Sequence, residues 1–370
     1  MRIAFNASIV DGVLSGLGVY TVNLLRALAR LHDDLRVYTS APAVCGVNPG
    51  IVRRVGPGVQ PWRGRRGHLQ RIAWIQTSLA LRLVAERASV LLSPVPEGML
   101  IPLVPQVVVV HDLTPLHFPH AWPRQSIYFR HVLPLVLERC RAVIADSEST
   151  RRDLISQYSI DPTRIHVVPC GYARDRYRAG IDASSVKQKY ELGPYLLYVG
   201  NLLPHKNLPR LLEAFAMAAD AIPHTLIIAG RKDPRYHPTL ETCVLALNLR
   251  DRVRFLDYVT SEDLPALYAG ADIVLLPSLY EGFGLPVLEA MACGTPVIAS
   301  RAGSLPEATG GAAFLIDPVD TRALAGAINL VVDDPPTRAA MRSAGLEQVS
   351  RFSWERTAEA ILDCVKDVRS

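Results

Sequence analysis

Residues 281–296 read EGFGLPVLEAMACGTP, from Glu281 to Pro296, and the fold turns on how this stretch is read. Just before it, Ile273 to Pro277 (IVLLP) has the length and composition of a buried strand. Ser278, Leu279 and Tyr280 follow, then Glu281, then Gly282 and Gly284 on either side of Phe283. A helix is predicted to start near Pro286, because proline is tolerated in the first turn, where the amide has no intrahelical partner. It is predicted to end at Gly294, which can take the left-handed cap that other residues avoid. Pro296-Val297-Ile298-Ala299 then reads as the next buried strand.

The chemistry follows from that local geometry. A helix N-terminus fed by a glycine loop offers free N–H groups and a positive dipole end, which suit a phosphate or a developing anion. Glu281 stands at the mouth of such a site, and Glu289 lies about two helical turns away at most. Carboxylates so separated do not easily share a proton or a metal. Each can instead accept hydrogen bonds from a different part of one long ligand, such as the hydroxyls of a sugar and of a ribose. Two bare glutamates at this spacing would read as solvated surface. The Gly-Phe-Gly-Leu-Pro between them and the strand on either side reverse that reading.

The block EGFGLPVLEAMACGTPVIAS closely resembles the E-x7-E signature of retaining glycosyltransferases of family 4, mannosyltransferase-like members included. The resemblance implies an α/β chain of GT-B architecture: two Rossmann-like domains facing across a cleft, with a C-terminal helix crossing back to the first. It implies that Glu281 contacts the donor sugar and Glu289 the nucleoside ribose. The amides of Phe283, Gly284 and Leu285 would then hold the sugar and phosphates.

A chain of 370 residues is long for one domain and comfortable for two. The expected division is an N-terminal domain over 1–173, a connector over 174–192, a nucleotide-sugar domain over 193–353 and a crossover helix over 354–370. Six scattered cysteines form no CxxC pair and no metal-ligand spacing, and read as reduced core thiols. The N-terminus lacks the apolar core of a signal peptide, and prolines interrupt the apolar region 90–110, so neither export nor a membrane span is expected. A net charge of +5 permits an anionic partner, and no nucleic-acid motif is present.

In the first half, Ile3 to Asn6 is the expected first strand. A glycine loop (Asp11 to Gly18) and a helix from about Val19 to Leu31 follow it. A strand, a glycine loop and a helix together place backbone amides against a ligand. The loop is not GxGxxG, so the signal is weak alone; by resemblance, Gly16 and Gly18 approach donor and acceptor. From Arg53 to Arg87 the chain is rich in arginine, densest around Trp62, Arg63, Arg65 and Arg66. Two readings stand here: a patch against an anionic membrane or lipid-linked acceptor, and a solvated basic loop and helix. Val107 to Val110 is a buried strand that delivers His111-Asp112 to its C-terminal edge, where open parallel sheets bind ligands. The family has a similar His-Asp pair whose histidine faces the donor sugar. Arg124 to Arg139 reads as one helix, and Ser147 as the cap of the next.

In the second half, Tyr195 to Gly200 is a strand followed by Asn201 to Asn207, which puts Lys206 at a strand-to-helix turn. There an ammonium can meet a diphosphate. The segment resembles the family's Pro-Arg-Lys-Asn pattern, with the lysine on the donor diphosphate, but His205 replaces the arginine and Asn201 a residue that is basic in some members. Arg231, after the next strand, is the candidate second cation. No Asp-x-Asp occurs, which argues for chemistry without a metal. The expected protein is a retaining, metal-independent glycosyltransferase with His111, Lys206 and Glu281 as catalytic candidates. Its expected donor is GDP-mannose and its acceptor a polysaccharide or lipid-linked oligosaccharide. The expected location is the cytoplasm, with peripheral contact at the inner face of the membrane. The alternatives are a GT-B-like sugar-nucleotide epimerase and a non-catalytic two-domain sugar-binding protein.

Overall fold

Valine- and isoleucine-rich runs supply two separate parallel sheets. The computed structural model describes residues 1–12, 14 and 16–367; Val13, Ser15 and residues 368–370 lie outside the described residues. By contacts, residues 1–171 and 353–370 make one unit and residues 172–352 the other. The expected connector, with its helix Ser184–Lys189, thus packs with the second unit.

The first unit holds β1 (Ile3–Asn6), β2 (Leu35–Thr39), β3 (Val52–Arg54), β4 (Val90–Ser93), β5 (Gln106–Val110), β6 (Ala142–Ala145) and β7 (Ile165–Val167). Their order is β3-β2-β1-β4-β5-β6-β7, and every pairing is parallel. Strands covered on both faces need apolar side chains on both, hence QVVVV rather than an alternating pattern in β5. Gln106, its one polar member, is fully buried and exchanges two 2.8 Å bonds with the backbone of Met99.

The C-terminal helix Trp354–Asp367 belongs to this first unit and packs on helix Gly16–Leu31. Thr357 donates to the Pro169 carbonyl at 2.8 Å. A Cβ on Gly171 would sit 2.2 Å from the Trp354 nitrogen, so only glycine permits this approach.

The second unit holds β8 (Tyr195–Val199), β9 (Thr225–Ala229), β10 (Val253–Leu256), β11 (Ile273–Leu276), β12 (Val297–Ser300) and β13 (Phe314–Ile316). The order is β10-β9-β8-β11-β12-β13, again parallel throughout. Helices Leu208–Ala218 and Thr321–Asp333 pack together on this sheet through Leu211, Leu212, Phe215 and Ile328, all fully buried. Each such side chain contributes roughly 1.5–3 kcal/mol.

Two local expectations change. The helix expected from Val19 begins at Gly16, so Gly16 and Gly18 lie in its first turn rather than in a loop. The helix expected over Arg124 to Arg139 is two, Pro123–His131 and Leu133–Glu138. Pro134 has no N–H to continue the ladder and its ring crowds the preceding turn. The basic segment is largely helical: Gly64–Trp74 runs through a wide turn, Ile75–Leu79, into Ala80–Ala85.

Candidate active site

In an open parallel sheet, the loops at the strands' C-terminal ends make a ligand site where the strand order reverses. In the second unit that point lies between β8 and β11. The loop after β8 carries Lys206 and the loop after β11 carries Glu281, so the topology brings together residues 75 apart in sequence. Asn207 ties the two loops: it takes a left-handed conformation (φ +60°), and its amide donates to the carbonyls of Pro277 (3.0 Å) and Pro318 (2.7 Å).

Lys206 Nζ donates to Glu281 Oε1 at 2.6 Å, and Ser278 Oγ donates to the same oxygen at 2.7 Å. The two charged side chains are only 16% and 12% exposed, so the pair is held rather than waving in solvent. Both bonds fall on Oε1. That leaves Oε2 for a ligand hydroxyl and two ammonium protons for a ligand anion. The Glu281 carbonyl accepts from the backbone and hydroxyl of Ser304, each at 3.1 Å, which braces the loop from behind.

Gly284 starts the helix Leu285–Ala292 at φ +91°, and a Cβ there would lie 2.7 Å from Leu305 Cδ2. The αL backbone and the close approach both demand glycine. Phe283 is buried with its ring edge-on to Phe352 at 5.8 Å, so its side chain anchors the loop while its amide stays at the helix mouth.

Glu289 accepts from Tyr268 Oη at 3.0 Å. Burial raises its pKa, and hydrogen bonds from Tyr268 and Tyr177 oppose that rise. Sequence reading missed both tyrosines: Tyr268 reads as a core aromatic, and Tyr177 lies in what looked like a connector. Asn201 and Arg231 are exposed after the adjacent strands β8 and β9, at the same sheet edge. His205 is buried, and burial followed by the Lys206 charge lowers its pKa to about 2. It is neutral and cannot replace the arginine of the family pattern.

In the first unit the order reverses between β1 and β4. His111 follows β5 and is turned toward that point. Its Nδ1 lies 2.6 Å from Asp146 Oδ2, its Nε2 lies 2.8 Å from the Pro94 carbonyl, and its own carbonyl accepts from Thr150 Oγ1 at 3.0 Å. Gly16 is exposed and Gly18 buried against Leu14.

The basic segment divides by burial. Arg71 is 4% exposed and makes a two-pronged bond to Glu97 at 2.6 and 2.7 Å, which makes it a core residue. Trp62, Arg63, Arg65 and Arg66 are exposed, joined by Leu69, which the sequence reading did not single out. No described helix is long and apolar enough to cross a membrane. A cavity of about 570 Å³ lined by Lys187, Asp272, Arg338 and Arg342 opens at the N-terminal ends of β11 and β12, away from Lys206 and Glu281.

Known proteins place this geometry in a family. Residues 182–348 match the family described as glycosyl transferases group 1, and residues 14–176 match glycosyltransferase family 4. The O-antigen chain mannosyltransferase B of Escherichia coli is 32% identical over 267 residues, 70% of each chain. The O-antigen chain mannosyltransferase RfbU of Salmonella typhimurium is 29% identical over 87% of this chain and 88% of its own. Among solved structures, sucrose-phosphate synthase from Thermosynechococcus elongatus superposes with a TM-score of 0.80 at 23% identity, covering 99% of this chain and 98% of that one. The chain therefore belongs to the family 4, group 1 glycosyltransferases and is a nucleotide-sugar-dependent glycosyltransferase of the GT-B fold.

Proposed function

We propose that this enzyme transfers mannose from GDP-mannose, with retention and without a metal, to a growing surface polysaccharide or its lipid-linked precursor. The observation that carries the donor-site reading is the Lys206–Glu281 pair at the β8/β11 reversal. The leaving group of such a reaction is a nucleoside diphosphate, and the principal task is to stabilise its growing charge. Lys206 and the amides of Phe283, Gly284 and Leu285 meet that charge, each charge-assisted bond contributing about 1.5–3 kcal/mol. Glu281 accepts from a sugar hydroxyl and Glu289 from the ribose. In the step itself the bond from the anomeric carbon to the diphosphate oxygen breaks. The acceptor oxygen bonds to that carbon on the same face, and its proton passes to the departing phosphate.

The mannose assignment is supported by the two relatives named as O-antigen mannosyltransferases. The lipid-linked acceptor is supported by the exposed Trp62, Arg63, Arg65 and Arg66, which suit an anionic leaflet at the inner face of the membrane. The test is a thermal-shift and transfer panel of GDP, UDP, ADP and dTDP sugars with and without EDTA. GDP-mannose should give the largest shift, unchanged by EDTA. A shift only with another nucleotide overturns the donor, and one abolished by EDTA overturns the metal-free reading.

A further inference from the structure

Both ring nitrogens of His111 are engaged by acceptors, and that fixes its protons. The Pro94 carbonyl can only accept, so Nε2 must carry a hydrogen. In the neutral ring Nδ1 would then present a lone pair to a carboxylate oxygen 2.6 Å away, which is repulsive. A proton on Nδ1 removes the conflict and makes an imidazolium–carboxylate pair.

The groups packed around the ring favour the charged form. Tyr20 packs edge-on to the His111 ring at 4.4 Å, and Trp354 packs edge-on to Tyr20 at 5.3 Å, closing the ring in from helices Gly16–Leu31 and Trp354–Asp367. Burial first and the Asp146 charge second push the Tyr20 phenol and the Cys170 thiol well up, so both stay neutral. Asp112, next in the chain, adds a second negative charge. Burial alone would lower the pKa of His111, but the charge and hydrogen bond of Asp146, then Pro94 and Asp112, raise it above the ordinary value. Asp146 is 2% exposed and stands just before Ser147, which caps helix Glu148–Tyr158; the helix dipole there favours a carboxylate.

We infer that Asp146 is a positioning residue that holds His111 as a fixed imidazolium, so that this histidine has no lone pair to take the acceptor's proton. Resting on the reaction proposed above, this leaves the departing phosphate as the proton acceptor. His111, whose side chain keeps 13% of its surface exposed, offers positive charge instead.

The experiment is nitrogen-15 NMR of the histidine-labelled enzyme from pH 6 to 8.5. The His111 signals among the 10 histidines are assigned by their loss in His111→Gln. Both ring nitrogens should resonate as protonated at pH 7.5; a neutral ring at that pH overturns the inference whatever the donor turns out to be. Asp146→Asn supplies a second readout. Its His111 should become neutral near pH 7.5. Turnover at pH 8 should fall about 10- to 100-fold, the scale of one lost charge-assisted hydrogen bond, and recover partly at pH 6. A uniform loss at every pH, with His111 still charged, would reduce Asp146 to a packing role. Loss of the GDP-mannose shift in the wild type would instead sink the donor reading and leave the NMR result standing.

Discussion

Gly284→Ala tests the donor loop through two separable terms. The first is conformational: at φ +91° an L side chain is forced into the left-handed region, which costs roughly 1–2 kcal/mol. The second is steric. The new Cβ would lie 2.7 Å from Leu305 Cδ2, and Leu305 is fully buried, so it has no solvent to move into. Overpacking of this kind adds about 1–3 kcal/mol. The sum is about 2–5 kcal/mol, to be read as a lower urea midpoint for the unit spanning 172–352. Gly311→Ala is the control: its φ is +86° but nothing lies within 4 Å of its Cβ, so it should show the first term alone. The repacked loop should also raise the donor KM of Gly284→Ala, because the amide at the helix mouth moves with it. Equal destabilisation of the two variants would refute the packing of Leu305 against the loop. A Gly284→Ala enzyme with wild-type stability would refute the left-handed start of the helix.

Lys206→Ala should lower kcat/KM by about 10- to 100-fold, and Glu281→Gln should reduce transfer with the fold intact; near-normal turnover in both would remove the pair from the donor site. The Arg71–Glu97 pair sets an acid limit: although burial alone would raise Glu97, Arg71 and then His68 hold its pKa down to about 2 from 4.5. Its contribution, about 3 kcal/mol, is fully present above pH 4.5 and lost as pH falls toward 2. Glu97→Gln, which leaves Arg71 buried without its carboxylate, should therefore differ from wild type by less at pH 3 than at pH 7 in urea unfolding, and a constant difference would contradict the pair. Replacing Arg63, Arg65 and Arg66 by glutamine should reduce flotation with vesicles of anionic lipid and leave soluble-acceptor transfer unaltered. Unchanged flotation would make the patch a solvated surface.

The sequence by itself determined the local units. Runs such as IVLLP and QVVVV have the length and composition of strands buried on both faces, the pattern of a parallel sheet, and EGFGLPVLEAMACGTP carries its own loop, helix start and helix stop, which appear as Leu285–Ala292 with Gly284 and Gly294 at its ends. These signals are local because they depend on φ, on missing amide hydrogens and on side-chain period. His111, Lys206 and Glu281 were legible as candidates for the same reason: His111 directly follows a strand, and Lys206 and Glu281 stand in the loops between a strand and the next helix.

Tertiary structure decided what these side chains touch. Whether Glu281 meets Lys206, or His111 meets Asp146, depends on which strands become neighbours and where the order reverses, and sheet order is not written in any one segment. Burial then set the charges. It keeps His205 neutral, pairs Arg71 with Glu97 inside what read as an exposed basic stretch, and closes Tyr177 and Tyr268 over Glu289. An ionisable side chain takes its charge from the groups folded around it, and those groups come from distant parts of the chain.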